Sequence, residues 1–166
     1  MVIVLNRTYK NSHGFTLIEI VVVLVLISII AAAVFQRSIS TDQMNFRSQF
    51  DKIQNQVRYP QSIAVKQSEW WGFACDTNDY WIFTGTNKDD VAKQRLLPGQ
   101  LDVKISLADL GVTVTSGAFT VLFDSYGIPY WQDWNTKMSA QQKIDLTDSG
   151  SNLRSITILP ETGLVR

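Results

Sequence analysis

Between Ile20 and Phe35, fifteen of sixteen residues are apolar, with Ser28 the only interruption. Taken back to Phe15, the stretch is 21 residues long and includes Thr16 and Glu19. A helix rises about 1.5 Å per residue, so this segment reaches roughly 32 Å, close to the hydrocarbon thickness of a bilayer. No comparable run recurs downstream. The sequence therefore reads as one membrane-spanning helix followed by a soluble portion from Gln36 to Arg166, and its 166 residues suit one domain plus a short appendage.

Composition narrows the function classes. Apolar residues make up 45% of the chain and charged residues 18%, with fifteen basic against fifteen acidic side chains. Such a chain is neither disordered nor a general nucleic-acid binder, which requires a clear excess of Lys and Arg. The single cysteine, Cys75, excludes an internal disulfide, and the single histidine, His13, excludes most histidine-based metal and triad chemistry. Nothing singles out two of the fifteen carboxylates as a catalytic pair, and no cofactor motif is present. The composition points away from an enzyme.

Two fates compete for the N-terminal helix. Arg7 and Lys10 before it, and Ala31-Ala32-Ala33 near its end, fit a removable secretory signal cut after Ala33, which would release a free, sugar-binding β-domain. The apolar stretch is long for such a signal, however, and carries a carboxylate at its start. A charge within a membrane segment costs about 2.5–3.5 kcal/mol on insertion scales and marks function through a specific partner. Glu19 has no cation one turn along its own helix.

The order of the residues around that carboxylate decides between them. A short basic leader, then Gly14-Phe15-Thr16-Leu17-Ile18-Glu19 running into the apolar helix, strongly resembles the prepilin signature of type IV pilins and type II secretion pseudopilins. The resemblance implies cleavage between Gly14 and Phe15 by prepilin peptidase and N-methylation of Phe15. It also implies pairing of Glu19 with the new α-amino group of a neighbouring subunit. The implied partners are other pilin or pseudopilin subunits, the peptidase, the inner-membrane assembly platform and the lipid bilayer, with no nucleic acid. The implied location is the inner membrane of a Gram-negative bacterium, with the head in the periplasm and later in the filament. Without its leader the chain would have thirteen basic and fifteen acidic side chains, a formal net charge of −2.

Past the membrane stretch, Phe46, Phe50, Ile53 and Val57 recur at helical spacing, and Ala64 extends the stripe. Thr41-Asp42 suggests a cap after a break near Ser38–Thr41, and Pro60 is expected to kink or end the helix. From Trp70 onward the pattern is strand-like. Trp70–Cys75 and Tyr80–Thr84 flank an Asx-rich turn, a hairpin signal, and further strands are predicted at 101–107, 112–115, 119–123, 128–131, 144–147 and 155–159. The segment 87–99 is predicted to be an exposed loop.

The predicted fold is α+β and pilin-like: a long N-terminal helix packed on a C-terminal antiparallel β-sheet or sandwich head. The expected divisions are a leader at 1–14, a membrane and assembly helix at 15–35, its amphipathic continuation at 36–66 and the β-head at 67–166. Val121–Pro129 and Ser155–Val165 resemble hairpins of H-type minor pseudopilins and related minor pilins. A lone Cys75, where many major pilins have a C-terminal pair, and the lack of a proline soon after the membrane stretch both favour a minor subunit. A minor pilin of a mannose-sensitive haemagglutinin (MSHA) pilus is the first reading, and an H-type minor pseudopilin of a type II secretion system the alternative.

Other candidate residues have plainer explanations. Asp76, Asn78 and Asp79, and likewise Asp89 and Asp90, offer oxygen ligands for Ca²⁺, but Asx-rich turns account for them and no EF-hand spacing is present, so no metal is expected. The aromatic residues read mainly as core, with Trp131 and Trp134 the candidates for a partner or ligand surface. Cys75 reads as a small buried side chain.

Overall fold

The computed structural model describes the backbone of residues 15–166 and the side chains of residues 15–34 and 43–166. The leader, including Gly14, lies outside the described residues. The chain divides into two compact units at Thr41/Asp42, and each is described by itself. Helix α1 spans Leu17–Gln67, and its assignment is uninterrupted through Ser38–Thr41, where the sequence suggested a break.

In the second unit, the expected stripe is the face that α1 buries. Phe46, Phe50, Ile53, Val57 and Ala64 all lie in the core, Val57 and Ala64 completely. Pro60 neither ends nor breaks the helix, which continues to Gln67. Proline inside a helix costs about 3 kcal/mol, but Pro60 is itself buried, and Ile63 and Ala64 beyond it pack on the core, so tertiary burial outweighs local preference. The helix stops at Ser68, whose positive φ of 56° is the left-handed C-terminal cap conformation, with the Glu69 N–H returning to the Ala64 carbonyl.

Nine strands follow: β1 (Trp71–Cys75), β2 (Asp79–Thr84), β3 (Gln94–Arg95), β4 (Ile105–Ser106), β5 (Val112–Val114), β6 (Phe119–Phe123), β7 (Pro129–Trp131), β8 (Gln142–Asp148) and β9 (Leu153–Ile158). They form two antiparallel sheets, one ordered β3-β2-β1-β6-β7 with β4 added to β2, the other β5-β8-β9. The fold is α+β, as the sequence predicted.

Strand alternation assigns each residue to a face. Trp71, Phe73 and Cys75 of β1, Tyr80 and Ile82 of β2, and Phe119, Val121 and Phe123 of β6 join one core with the helix stripe. Ile144, Leu146, Ile156 and Ile158 of the second sheet enter the same core. The opposite face of the first sheet makes a smaller cluster of Ala74, Trp81, Phe83 and Leu122, flanked by Trp70 and Tyr130. Trp70 and Trp71 therefore do lie on opposite faces.

Two predicted segments differ. The segment 87–99 holds a 3-10 turn at Val91–Lys93, strand β3 and the fully buried Leu97, so it is not simply an exposed loop. The reason is the second apolar face of β2: the Lys88 carbonyl accepts a hydrogen bond from Trp81 Nε1 at 3.1 Å. Conversely, the strand predicted over 101–107 shrinks to β4, because Leu101 is 96% exposed and no neighbouring strand pairs with it.

Gly72 in β1 allows this double-sided packing, since a Cβ there would overlap the Phe83 ring. Gly72→Ala is expected to destabilise the head by about 1–3 kcal/mol, and Phe83→Leu in the same chain should recover part of the loss. Denaturation of the detergent-solubilised protein followed by tryptophan fluorescence measures both, because all five tryptophans lie in the head.

Candidate functional site

In the first unit the site is the start of α1. Thr16 immediately precedes the helix, and its hydroxyl accepts a hydrogen bond from the Glu19 N–H at 3.3 Å. Thr16-Leu17-Ile18-Glu19 is thus half of a capping box, a T-x-x-E signal that the sequence analysis passed over. The reciprocal half is not formed: among the described residues the Glu19 carboxylate accepts no hydrogen bond. It stands exposed in the first helical turn, available to a donor from elsewhere. A carboxylate here also faces the unpaired N–H groups and partial positive charge of the helix start.

Beyond Glu19 the helix is apolar all round. Leu17–Val34 has mean hydropathy 3.1 and none of its residues is buried, making it the one helix among the described residues long and apolar enough to cross a membrane. Its lone hydroxyl is satisfied within the helix, Ser28 Oγ donating to the Leu24 carbonyl at 2.8 Å. A helix apolar on every side needs an apolar environment on every side, from lipid or from other helices. Phe15, just before the helix, is 80% exposed.

In the second unit, α1 draws the two motif hairpins together. Gln61 Nε2 donates to the Gly127 carbonyl in the β6–β7 turn at 3.0 Å and to the Thr162 carbonyl in the closing turn at 2.7 Å. Gly163, at φ 64°, sits where a Cβ would meet both Gln61 Nε2 and the Gly127 carbonyl oxygen. One turn earlier, Arg58 Nε donates to the Val165 carbonyl at 2.9 Å. No local pattern signals this convergence, because the partners lie 66 and 101 residues from Gln61.

The remaining candidates occupy separate places. Trp131 is half-buried and stacks on Phe119 at 5.7 Å between ring centroids, whereas Trp134 is 51% exposed. Asp76 Oδ1 accepts from the N–H groups of Asn78 and Asp79, closing the β1–β2 turn. Asp90 caps the 3-10 turn through Ala92, and Asp89 pairs with Lys88. Among the described residues no group of three or more His, Cys, Asp and Glu side chains is placed to hold a metal ion.

Residues 9–35 match the family model for the prokaryotic N-terminal methylation motif. The chain carries the type IV prepilin-like signature. No curated protein and no solved structure matches it. Such a signature, with the exposed apolar helix, implies membrane anchoring, processing by prepilin peptidase and assembly with pilin subunits.

Cys75, free and buried, ends β1. Burial pushes its thiol up from 9.0 to about 12, and the carboxylates of Asp76 and Asp79 add to the effect. Burial also raises the Tyr80 phenol, with Cys75 a further cause. Both groups stay protonated in the folded head after their unfolded counterparts ionise. Stability is therefore complete below about pH 9 and falls as pH rises from there towards 12, by at most about 1.4 kcal/mol per pH unit for each proton. Cys75→Ala should flatten the alkaline fall in denaturation midpoint, and iodoacetamide at neutral pH should label Cys75 only after unfolding.

Proposed function

We propose that this chain is a minor subunit of a type IV pilus or closely related filament. In this reading prepilin peptidase cuts between Gly14 and Phe15, Phe15 is N-methylated, and the helix holds the subunit in the inner membrane until it joins a bundle of sister helices. The observation that carries it is an apolar helix left uncovered by the described residues, with one carboxylate in its first turn that has no partner among them, directly after the Gly14-Phe15 junction.

The physical logic is an exchange of environments. Sister helices offer the same apolar cover as lipid, so transfer from membrane to filament exposes little apolar surface to water. An ionised α-amine at Phe15, with an ordinary pKa of about 7.7–8.0, gives the Glu19 carboxylate of an adjacent subunit a partner. In a low-dielectric surrounding such a pair favours the register in which the two groups meet.

The head supports a minor role. Cys75 is buried and free, so it cannot staple the C-terminal stretch as a cysteine pair does in many major pilins. Arg58 and Gln61 hold that stretch by hydrogen bonds instead. A place near the filament tip, priming assembly, follows for a subunit of low copy number, and an MSHA-type pilus is the first candidate system. Val121–Pro129, which forms the β6–β7 turn region, resembles in sequence a hairpin of H-type minor pseudopilins as well as of related minor pilins, so a type II secretion pseudopilus is the second reading.

Mass spectrometry of the mature N-terminus tests the proposal. Methylated Phe15 is the expected start, whereas a chain beginning at Val34 would make the protein a secreted domain. Glu19→Ala is expected to be cleaved and inserted normally yet to be lost from purified filaments. Undiminished incorporation of that variant would remove Glu19 from assembly.

A further inference from the structure

A cleft of about 400 Å³ lies in the head between α1 and the turn after Leu97. Its helical wall is Lys52, Asn55, Gln56 and Tyr59, which share one face of α1 at i, i+3, i+4 and i+7. The opposite wall includes Pro98 and Gly99, in a turn fixed by the fully buried Leu97 and by a hydrogen bond from the Gln100 N–H to the Leu97 carbonyl.

The hydrogen bonds already made leave the two amides of the helical wall as donors. Gln56 is 92% buried, and its Oε1 accepts from the phenol of fully buried Tyr80 at 2.6 Å. Asn55 Oδ1 accepts from Arg58 Nη1 at 3.2 Å. Each amide thus has its oxygen engaged and its NH₂ group left over, and among the described residues neither NH₂ has a partner. Lys52 adds an ammonium group that forms no ion pair among the described residues. The side chains that carry these two amide donors and this cation all line the one cleft, and a carboxylate is the acceptor-only, anionic group that can satisfy them together.

The shape narrows the class further. The volume falls in the range of small-molecule sites, roughly 300–1,000 Å³. Half-buried Tyr59 ends the row of donors with an aromatic ring and a hydroxyl, a surface that suits the C–H face and hydroxyls of a pyranose. The cleft has no sheet edge along its walls to pair with an extended peptide.

We propose that this cleft binds a sugar acid. Lys52, Asn55 and Gln56 hold the carboxylate, and Tyr59 flanks the ring. The site belongs to the head and is independent of how the N-terminal helix is used.

Saturation-transfer NMR on the detergent-solubilised full chain tests the proposal, with glucuronate as probe and glucose and N-acetylalanine as controls. Glucuronate should bind, and glucose, lacking the carboxylate, should bind at least about tenfold more weakly. Lys52→Met keeps the aliphatic stem and Asn55→Asp changes an exposed side chain, so both should fold, as an unchanged tryptophan emission would show. Each should weaken glucuronate binding about tenfold or more, since one removes the cation and the other replaces a donor with a like charge. No transfer to glucuronate, or equal transfer in wild type and Lys52→Met, overturns the site. Stronger binding of N-acetylalanine than of glucuronate overturns the sugar assignment.

Discussion

The head is organised by the need to cover one face of α1. Phe46, Phe50, Ile53, Val57 and Ala64 form an apolar stripe about five helical turns long. Neither sheet covers it alone: β1, β2 and β6 of the first sheet and β8 and β9 of the second all contribute to the same core. Burial is non-directional, so apolar contact draws these layers together without fixing how far along the helix each one sits. Register comes from the few directional bonds at the edge of the stripe. Gln61 bonds the β6–β7 turn and the closing turn at once, and Arg58 bonds the last strand-like segment. A slip by one helical turn would leave three backbone carbonyls without these donors.

The same helical periodicity serves two solvents. In the head, polar residues flank the stripe and face water, whereas Leu17–Val34 has no polar face. That difference separates a helix whose partner is its own domain from one whose partners must come from outside. Against such a background a single carboxylate is conspicuous. Thr16 caps the N–H of Glu19 but leaves its side chain free, so helix initiation and the availability of that charge arise from the same four residues. The type IV prepilin-like signature over residues 9–35 covers this segment, while the head matches no curated protein or solved structure.

How much could be read in advance depended on the range of the interaction. The membrane stretch, the helix stripe, the β1–β2 hairpin and the paired strands β6 and β7 were legible because period, turn chemistry and strand propensity are local. Pro60 misled because local preference yields to burial on both sides of it. The segment 87–99 misled because its charge and Pro-Gly suggested solvent, yet the outer face of β2 needs a cover and Leu97 needs a place to bury. Strand alternation announces which face Trp81 and Phe83 take, but not that something will cover them. The joint grip of Gln61 on two distant turns is a purely tertiary fact, and no spacing rule addresses it. Of the candidate site, the Gly14–Glu19 order falls within the segment that matches the methylation motif, Thr16's capping was legible but missed, and the cleft on α1 was invisible. It depends on which end of each amide is already engaged, and Tyr80 and Arg58 decide that.

That last dependence shows how one short helical segment divides its work. Between Lys52 and Gln61, the core takes Ile53 and Val57, the clamp takes Arg58 and Gln61, and the cleft takes Lys52, Asn55, Gln56 and Tyr59. The assignments are not independent. Arg58 holds the Val165 carbonyl with Nε while Nη1 holds the Asn55 oxygen, so the clamp orients an amide of the cleft. Tyr80 lies in the core and orients the other amide through Gln56. Because both carbonyl oxygens are occupied by groups that the fold needs for other reasons, the NH₂ ends are what these two amides have left to offer a ligand. Little reorganisation is then required on binding, and a donor set fixed in advance discriminates against ligands that bring donors of their own.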